Sequence, residues 1–309
     1  MWNLSWLASW LALVGAVSFQ DLSSLLADGR RLLDEKRFSQ AESVFRMAAA
    51  VEPGEPAPHY YLGVALLGQG KNEQAARALE QAYHLSPTPN PSVLYELGTA
   101  YLRMERLDES ERVLLLAAEQ APGEARVHLQ LGWLYYLKVE GEKAEAEFRR
   151  ALDLSPTPVA HYYLALAELA LGKIEDAVAS CRAAIASNPS FPAARVVLGK
   201  MLAQLGRFEE AKKELKEALR LDPKAAEAHY QLGLMSLRGK DLKRAAELFR
   251  SAVEADPSHQ GAWYNLALVY EQLGRAREAH QARARFEALS EKARRRGKSL
   301  STASPEPHR

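Results

Sequence analysis

Apolar and polar residues alternate along most of the chain with the period of an α-helix. Apolar side chains recur at steps of three and four residues, for example at Leu215, Ala218 and Leu219, which places them on one helical face. Glycines follow the predicted helix ends, as in LGQGKNEQA at 67–75, LGKIEDA at 171–177 and LGRFEEA at 205–211. The pattern predicts short amphipathic helices joined in pairs by tight turns, and it requires no strand.

The helical pattern repeats itself along the chain. The segment HYYLG at 59–63 returns as HLQLG at 128–132, HYYLA at 161–165, HYQLG at 229–233 and WYNLA at 263–267. Its last position is always glycine or alanine, and successive copies lie 33 to 35 residues apart, a spacing typical of repeat architectures. The residues at this position are Gly29, Gly63, Gly98, Gly132, Ala165, Gly199, Gly233 and Ala267.

Three further series of residues follow the same period. A second small residue comes twelve positions later in every copy, and a third comes seven positions after that, except in the last copy, which has Phe286. Only glycine or alanine fits where two helices cross at close range, so these series mark helix crossings. Prolines such as Pro53 and Pro87 close seven of the eight copies. Because proline cannot continue a helix interior, the prolines mark the junctions between copies.

This pattern resembles the tetratricopeptide repeat, a helix-turn-helix unit of about 34 residues. The resemblance covers residues 22–293 as eight units, and it implies an all-α fold, a right-handed α-solenoid or superhelix with a concave groove lined by the first helix of each unit. Arg283, Phe286 and Glu291 depart from the pattern in the last unit, which suits a terminal helix whose outer face meets water. The units start near residues 22, 56, 91, 125, 158, 192, 226 and 260.

The family resemblance also implies which residues line the groove, namely the second, fifth, sixth, ninth, twelfth and thirteenth of each unit. The fifth residue is tyrosine in five of the eight units. Tyrosine and tryptophan combine a large rigid contact area with a hydrogen-bonding tip, which favours a protein-binding surface. The alternative is that these side chains only pack between adjacent first helices. The predicted partner-binding residues are Tyr60, Tyr95, Arg103, Leu129, Trp133, Tyr136, Tyr162, Leu166, Leu169, Lys200, Tyr230 and Tyr264.

The groove does not match two specialised binding sites of the family. The clamp that grips a terminal carboxylate needs polar residues at the fifth position, where this chain has apolar residues or tyrosine. The asparagine ladder of glycosyltransferase superhelices needs asparagine at the sixth position, where only Asn265 occurs. Arg103 and Lys200 are among four cations that accompany Glu96 and Glu227, a slight excess that favours an acidic or carboxylate-ended peptide.

No residue pattern predicts catalysis, a cofactor or a metal site. His59, His128, His161 and His229 share one position in four units. Neighbouring units stack roughly 10 Å apart, whereas zinc holds nitrogen ligands at about 2.0–2.1 Å, so we expect half-buried packing residues. Cys181 is the one cysteine, which excludes an intrachain disulfide. It replaces an aliphatic residue of a second helix, and this predicts a buried, inert thiol.

The two ends of the chain differ from the repeats. Residues 1–18 are apolar and uncharged and end in small residues, which indicates a signal peptide. The alternatives are an uncleaved anchor and an apolar helix that packs on the first repeat. Residues 294–309 are basic and contain Pro305 and Pro307, and we expect a disordered tail. Membrane contact is predicted only through residues 1–20 or this tail.

The full repeat array, with an aromatic groove and no candidate catalytic residues, favours a binding protein over an enzyme. The 309 residues are 48% hydrophobic and 26% charged, with a formal net charge of +1, so the chain can bury a core but has no field that would attract nucleic acid. We expect a non-enzymatic scaffold that binds a partner peptide or helix and helps to assemble an exported or envelope complex. It would be periplasmic, secreted, or membrane-anchored with the repeats outside the cytoplasm. The alternatives are a cytoplasmic location, and a targeting or substrate-recruiting subunit of a separate enzyme such as a glycosyltransferase or protease.

Overall fold

The computed structural model describes residues 21–88 and 90–301, so that the signal-like segment 1–18 and residues 302–309 lie outside it. Within these ranges the chain forms sixteen helices and no strand, and the all-α prediction is confirmed. The helices are α1 (Leu22–Asp34), α2 (Phe38–Val51), α3 (Pro56–Gly68), α4 (Asn72–Leu85), α5 (Pro91–Arg103), α6 (Leu107–Gln120), α7 (Ala125–Leu137), α8 (Gly141–Leu154), α9 (Pro158–Ala170), α10 (Ile174–Ser187), α11 (Pro192–Gln204), α12 (Phe208–Leu221), α13 (Ala226–Arg238), α14 (Leu242–Ala255), α15 (Gln260–Gln272) and α16 (Ala276–Ser301).

The helices belong to two compact units that divide between Ser155 and Pro156. One unit holds α1 to α8 and the other holds α9 to α16. Each odd-numbered helix packs against the even-numbered helix that follows it, and the sixteen helices fit about eight repeats. We call the two members the first and second helix of repeats 1 to 8. The first helices begin at the residues where the sequence predicts the unit starts. Among the described helices, none combines the length and the apolar character needed to cross a membrane.

A three-residue turn joins the two helices of every repeat, and its middle residue always has a positive φ. These residues have φ values between 56° and 75°. In repeat 2 the amide of Gly70 donates to the carbonyl of Leu67, and the amide of Lys71 donates to that of Leu66, which satisfies the last carbonyls of α3. Glycine adopts this conformation without strain, whereas other residues are strained in it. The eight residues are Lys36, Gly70, Glu105, Val139, Gly172, Gly206, Lys240 and Gly274.

The recurring glycines of the first helices allow a large side chain of the second helix to lie directly against the backbone. In six repeats a Cβ added at the glycine would lie 2.4–2.6 Å from a phenylalanine or leucine of the second helix, such as Phe45 opposite Gly29. Repeat 5 has alanine at this position, Ala165. The residue of the second helix at the facing position is Cys181, where six other repeats have phenylalanine or leucine. Ala165 and Cys181 are fully buried in one apolar cluster, and burial raises the pKa of the Cys181 thiol to about 12. The predicted burial of the Cys181 thiol is therefore confirmed, and its raised pKa supports the prediction that it is inert.

The repeated histidines close the junctions between repeats. Nε2 of His59, His128 and His229 lies 3.0–3.2 Å from a proline carbonyl six residues earlier. Arg195 and Trp263 hold the same position in repeats 6 and 8 and also donate to the proline carbonyl six residues before them. His59 and His128 are buried, and His229 is half-buried. The predicted half-burial is confirmed for His161 and His229, whereas His59 and His128 are more deeply buried than predicted. In the described ranges no group of His, Cys, Asp or Glu is arranged to hold a metal ion.

The last helix is longer than the other fifteen that the structure describes. It continues to Ser301, so residues 294–301, the start of the predicted disordered tail, are helical. This part of the sequence contains no proline before Pro305, and Arg295 pairs with Glu291 one turn earlier at 2.5 Å, which favours helix continuation. Residues 302–309 lie outside the described residues.

Candidate functional site

The twelve predicted partner-binding residues all lie on first helices, six in each compact unit. Arg103 and Tyr264 are exposed and the other ten are half-buried, so none of the predicted tyrosines is sealed from solvent. They occupy α3 (Tyr60), α5 (Tyr95, Arg103), α7 (Leu129, Trp133, Tyr136), α9 (Tyr162, Leu166, Leu169), α11 (Lys200), α13 (Tyr230) and α15 (Tyr264).

In the first unit, one arginine of α7 links the tyrosines of the two preceding first helices. The Arg126 guanidinium of α7 lies 4.8 Å from the centre of the Tyr95 ring on α5, within range of a cation–π interaction. It also donates to Ser92 Oγ of α5 at 3.3 Å, and both Arg126 and Ser92 act to lower the pKa of Tyr60 on α3. We call Tyr60, Ser92, Tyr95, Glu96 and Arg126 the Arg126 cluster. Its contacts fix the tyrosine rings in position while leaving them partly accessible.

The Arg126 cluster contains a carboxyl group that is costly to ionise. Burial raises the pKa of Glu96, and the positive charges of Arg126 and Arg103 offset this only in part. Burial also raises the pKa of Tyr60 and of Tyr95, and the negative charge of Glu96 adds to this effect. A half-buried carboxyl group beside two phenols and a guanidinium gives this surface both polar and aromatic contact groups.

Other predicted residues of the first unit contact their own helix or the first helix of the preceding repeat. The Trp133 and Tyr136 rings of α7 stack with centres 5.3 Å apart and planes inclined by 19°. Arg103 donates to the carbonyl of Leu67 at the end of α3, at 2.8 Å. The guanidinium of Arg103 therefore also joins two repeats, and part of its hydrogen-bonding capacity is used within the fold.

In the second unit, two predicted residues line one pocket between neighbouring first helices. The pocket has a volume of about 530 Å³, and α11 contributes Lys200 while α13 contributes Tyr230. Asn265 Nδ2 donates to the Tyr230 hydroxyl at 3.4 Å, and the His259 ring lies 4.5 Å from the Tyr230 ring. The pocket is large enough for one or two side chains of a partner.

Glu227 supplies the negative charge of this pocket. Its carboxylate lies 3.2 Å from His259 Nε2 and accepts a hydrogen bond of 2.8 Å from Gln231 Nε2. Burial acts to raise the pKa of Glu227, but the hydrogen bonds from His259 and Gln231 and the charge of Lys200 outweigh it, and the pKa is lowered. The hydrogen bond to Glu227 raises the pKa of His259. The carboxylate is therefore ionised at neutral pH and ties α13 to the start of α15.

Three other predicted residues of the second unit contact neighbouring apolar groups. The Tyr162 ring lies 5.2 Å from that of Phe191, and Leu169 packs against the buried cluster that contains Cys181. Tyr264 is 48% exposed although the Phe286 ring of α16 lies 5.4 Å away. These contacts position the side chains without covering them.

Sequence reasoning did not identify three polar residues that organise these surfaces. Ser92 and Gln231 occupy the second and sixth positions of their units, which the family resemblance assigns to the groove. Neither residue is aromatic, aliphatic or charged, so neither is marked as a contact residue by its type. His259 precedes the first helix of repeat 8, at a position for which neither the repeat pattern nor the family implies a groove role. Its contact with Glu227 depends on packing between repeats 7 and 8.

Sequence comparison establishes the family. One tetratricopeptide repeat profile matches residues 26–88, 162–212 and 196–260, and a second matches 66–134 and 236–300. The first of these alone spans more than half of the 309 residues. The chain belongs to the tetratricopeptide repeat family.

Two curated relatives match part of the chain. Cell division cycle protein 27 homolog A of Arabidopsis thaliana is 34% identical over 98 residues, which are 32% of this chain and 14% of that protein. Homolog B of the same plant is 32% identical over 128 residues, 41% of this chain and 17% of that protein. The matched region is therefore less than a fifth of the length of either relative.

Solved structures share the fold over most of the chain. The APC/C hetero-tetramer Cut9–Hcn1 aligns with a TM-score of 0.64 and 17% identity, over 90% of this chain and 55% of that one. A tetratricopeptide repeat protein of Parabacteroides merdae aligns with 0.63 and 18% identity, over 81% and 99%. A thermophilic protein of the family from Thermus thermophilus is 27% identical over 59% and 99%, with a TM-score of 0.50. The first two similarities show the fold alone.

Proposed function

We propose that the chain is a non-enzymatic scaffold whose first helices bind an extended or helical segment of a partner protein, with the twelve predicted residues as contacts. The observation that carries the proposal is that the tyrosine rings of the first helices remain accessible while neighbouring polar or aromatic side chains hold them. Side chains that are already ordered lose little conformational entropy on binding. Aromatic residues in such positions supply most of the binding energy at many protein interfaces.

The family supports a protein partner. Tetratricopeptide repeat proteins are generally non-enzymatic scaffolds. Two relatives carry the name of a cell division cycle protein, and one structural neighbour is part of a hetero-tetramer. Since only a small part of those relatives is matched, we propose for this chain a role in assembling a protein complex and not a particular complex.

The test compares partner capture by two triple variants of the full chain. Tyr95→Ala, Trp133→Ala and Tyr162→Ala remove three rings of the first helices, whereas Met47→Ala, Leu115→Ala and Leu154→Ala remove three apolar side chains of second helices that are 41–51% exposed. Quantitative mass spectrometry of captured proteins should show a loss of about tenfold or more for the first variant and little change for the second. Equal retention of the same partners by both folded variants would falsify the proposal.

We further propose that residues 1–18 direct the chain out of the cytoplasm, so that the complex is exported or lies in the envelope. The apolar, uncharged run and the small residues that end it support this proposal. Mass spectrometry of the mature amino terminus should find a start at Phe19. An intact Met1 on protein from the soluble cytosol would instead establish the cytoplasmic alternative.

A further inference from the structure

One position of the repeat carries a large buried side chain in most copies, and in repeat 3 this side chain contacts the preceding repeat. The eleventh residue of each repeat is large and only 1–8% exposed in seven of the eight copies. Tyr101 of repeat 3 donates from its hydroxyl to Glu80 of α4 in the preceding repeat, at 2.5 Å, and burial and the negative charge of Glu111 on α6 raise the pKa of Tyr135 of repeat 4. The residues at this position are Leu32, Leu66, Tyr101, Tyr135, Glu168, Leu202, Ser236 and Tyr270.

Repeat 7 lacks the large side chain. Its eleventh residue is Ser236, which is half-buried and lines a cleft of about 800 Å³ between α12 and the pair α13 and α14. The cleft has apolar walls that include Leu219, Met235 and Leu248. Its volume lies within the range of sites that bind small molecules or the side chains of a peptide. None of the twelve residues on the first-helix surface lines it.

Two side chains of the cleft carry a charge opposite to that of the glutamates beside Tyr101 and Tyr135. Lys212 and Lys216 of α12 line it, at the positions where repeats 3 and 2 have Glu111 and Glu80. Neither lysine makes an ion pair with any residue in the described ranges. The cleft is lined by four cationic and two anionic side chains, and one of the anions, Asp241, accepts a hydrogen bond from the amide at the start of α14. An anionic group is therefore the complementary ligand.

We infer that this cleft is a second binding site, which takes one bulky aromatic or aliphatic side chain from an acidic segment of a partner protein. The inserted side chain occupies the space that Tyr101 and Tyr135 occupy in their own repeats. The carboxylates beside it meet Lys212 and Lys216, which have no acidic partner within the described part of the fold. The site lies on different helices from most of the proposed first-helix surface, and it does not depend on that proposal.

The binding test uses the full chain and a fluorescein-labelled peptide with one central tyrosine and glutamates on both sides. Fluorescence anisotropy should show saturable binding that weakens about tenfold or more when the tyrosine is replaced by alanine or the glutamates by glutamine. The affinity should also fall as the salt concentration rises, because the lysines are at the surface. Absence of binding at peptide concentrations up to about 1 mM overturns the inference.

Two pairs of protein variants locate the site. Ser236→Tyr restores the large residue and should reduce peptide affinity about tenfold or more, whereas Ser236→Ala leaves the cleft open and should bind as the parent does. Lys212→Glu should weaken binding to a similar extent, while Lys213→Glu makes the same charge change one residue further along α12, where the side chain does not line the cleft.

The variants distinguish binding in the cleft from binding elsewhere on the chain. Parental affinity in Ser236→Tyr, or equal weakening by Lys212→Glu and Lys213→Glu, overturns the inference. Should Ser236→Tyr fail to fold, as judged by helical circular dichroism and a melting curve, the lysine pair decides alone. Tyr95→Ala should leave peptide affinity unchanged, and a strong loss in that variant would place the peptide on the first-helix surface instead.

Discussion

The junction of repeats 2 and 3 and the junction of repeats 6 and 7 are built on the same helical framework but differ in one decisive position. At the first, Tyr101 is 6% exposed, its hydroxyl donates to Glu80, and the Arg106 guanidinium lies 4.6 Å from its ring centre. At the second, Ser236 leaves a cleft of about 800 Å³ beside Lys212. In both repeats a glycine of the first helix faces a large side chain of the second helix, Leu114 in repeat 3 and Phe249 in repeat 7. The helix pairs thus maintain the fold, while the junctions between them are free to become closed or open surfaces.

Opening the closed junction should have the largest effect. Tyr101→Ser would reproduce the arrangement of repeat 7 in repeat 3, removing a buried ring and leaving Glu80 without its donor. We expect the free energy of unfolding to fall by about 3 kcal/mol, since deleting a large buried side chain costs transfer energy and leaves a cavity. Urea denaturation followed by circular dichroism measures the change.

The matched control for this variant is Tyr83→Ser, which removes a half-buried tyrosine of α4 near the same junction. Its loss should be clearly smaller than that of Tyr101→Ser. A loss below about 1 kcal/mol for Tyr101→Ser would mean that the junction collapses around the missing ring. In that case the large residue at this position is not what closes the junction.

Alkaline pH should weaken the closed junctions selectively. Burial and the hydrogen bond to Glu80 raise the pKa of Tyr101 to about 12, and burial and the negative charge of Glu111 do the same for Tyr135. An unfolded tyrosine titrates near pH 10, so between about pH 10 and 12 the folded protein retains protons that the unfolded chain loses. Stability must therefore fall as the pH rises through this range, by up to about 2 kcal/mol for each tyrosine.

The measurement is a series of urea unfolding curves at alkaline pH for the parent and for the Tyr101→Phe, Tyr135→Phe double variant. The variant keeps both rings but cannot ionise them, so its stability should decline less steeply. Parallel declines in the two proteins would indicate that these hydroxyls ionise as easily in the folded state as in the unfolded one.

Filling the open junction should have a moderate effect of the opposite sign. Ser236→Leu places in repeat 7 the residue that repeat 6 has at the same position, Leu202, which is 1% exposed. We expect a gain of about 1–2 kcal/mol from the apolar surface that becomes buried. Ser236→Ala is the control and should gain little. A loss of stability on introducing leucine would show that the cleft walls cannot accept an apolar side chain, and it would also weaken the binding site inferred there.

The helix crossings within each repeat could be predicted from the sequence, while the side-chain contacts between repeats could not. The glycine and alanine series identifies helix crossings because tight approach restricts the residue to one or two types, as at Gly132 against Phe148. The residue of the second helix that faces this position is smaller in repeat 5, where Cys181 is opposite Ala165. This relation is visible once the repeats are aligned. Ser236 is also visible as a small residue when the repeats are aligned. Whether it leaves an open cleft, however, depends on which side chains of α12 face it. The same holds for Arg126, whose contacts with Ser92 and Tyr95 require the direction of each side chain as well as the repeat spacing.

A smaller effect on stability is expected at the turn between the two helices of repeat 7, which differs in its middle residue from the turn of repeat 2. The middle turn residue is Lys240 with φ 59° in repeat 7 and Gly70 with φ 72° in repeat 2. A lysine in this left-handed conformation is strained by about 1 kcal/mol, and glycine relieves the strain but loses more conformational entropy on folding. Lys240→Gly should therefore raise the free energy of unfolding by only about 0.5 kcal/mol, whereas Gly70→Lys should lower it by a similar amount. If Lys240→Gly stabilised the protein as much as Ser236→Leu does, the turn would lower the stability of repeat 7 as much as the open junction does. Ser236 would then not be the main difference between repeat 7 and the other repeats.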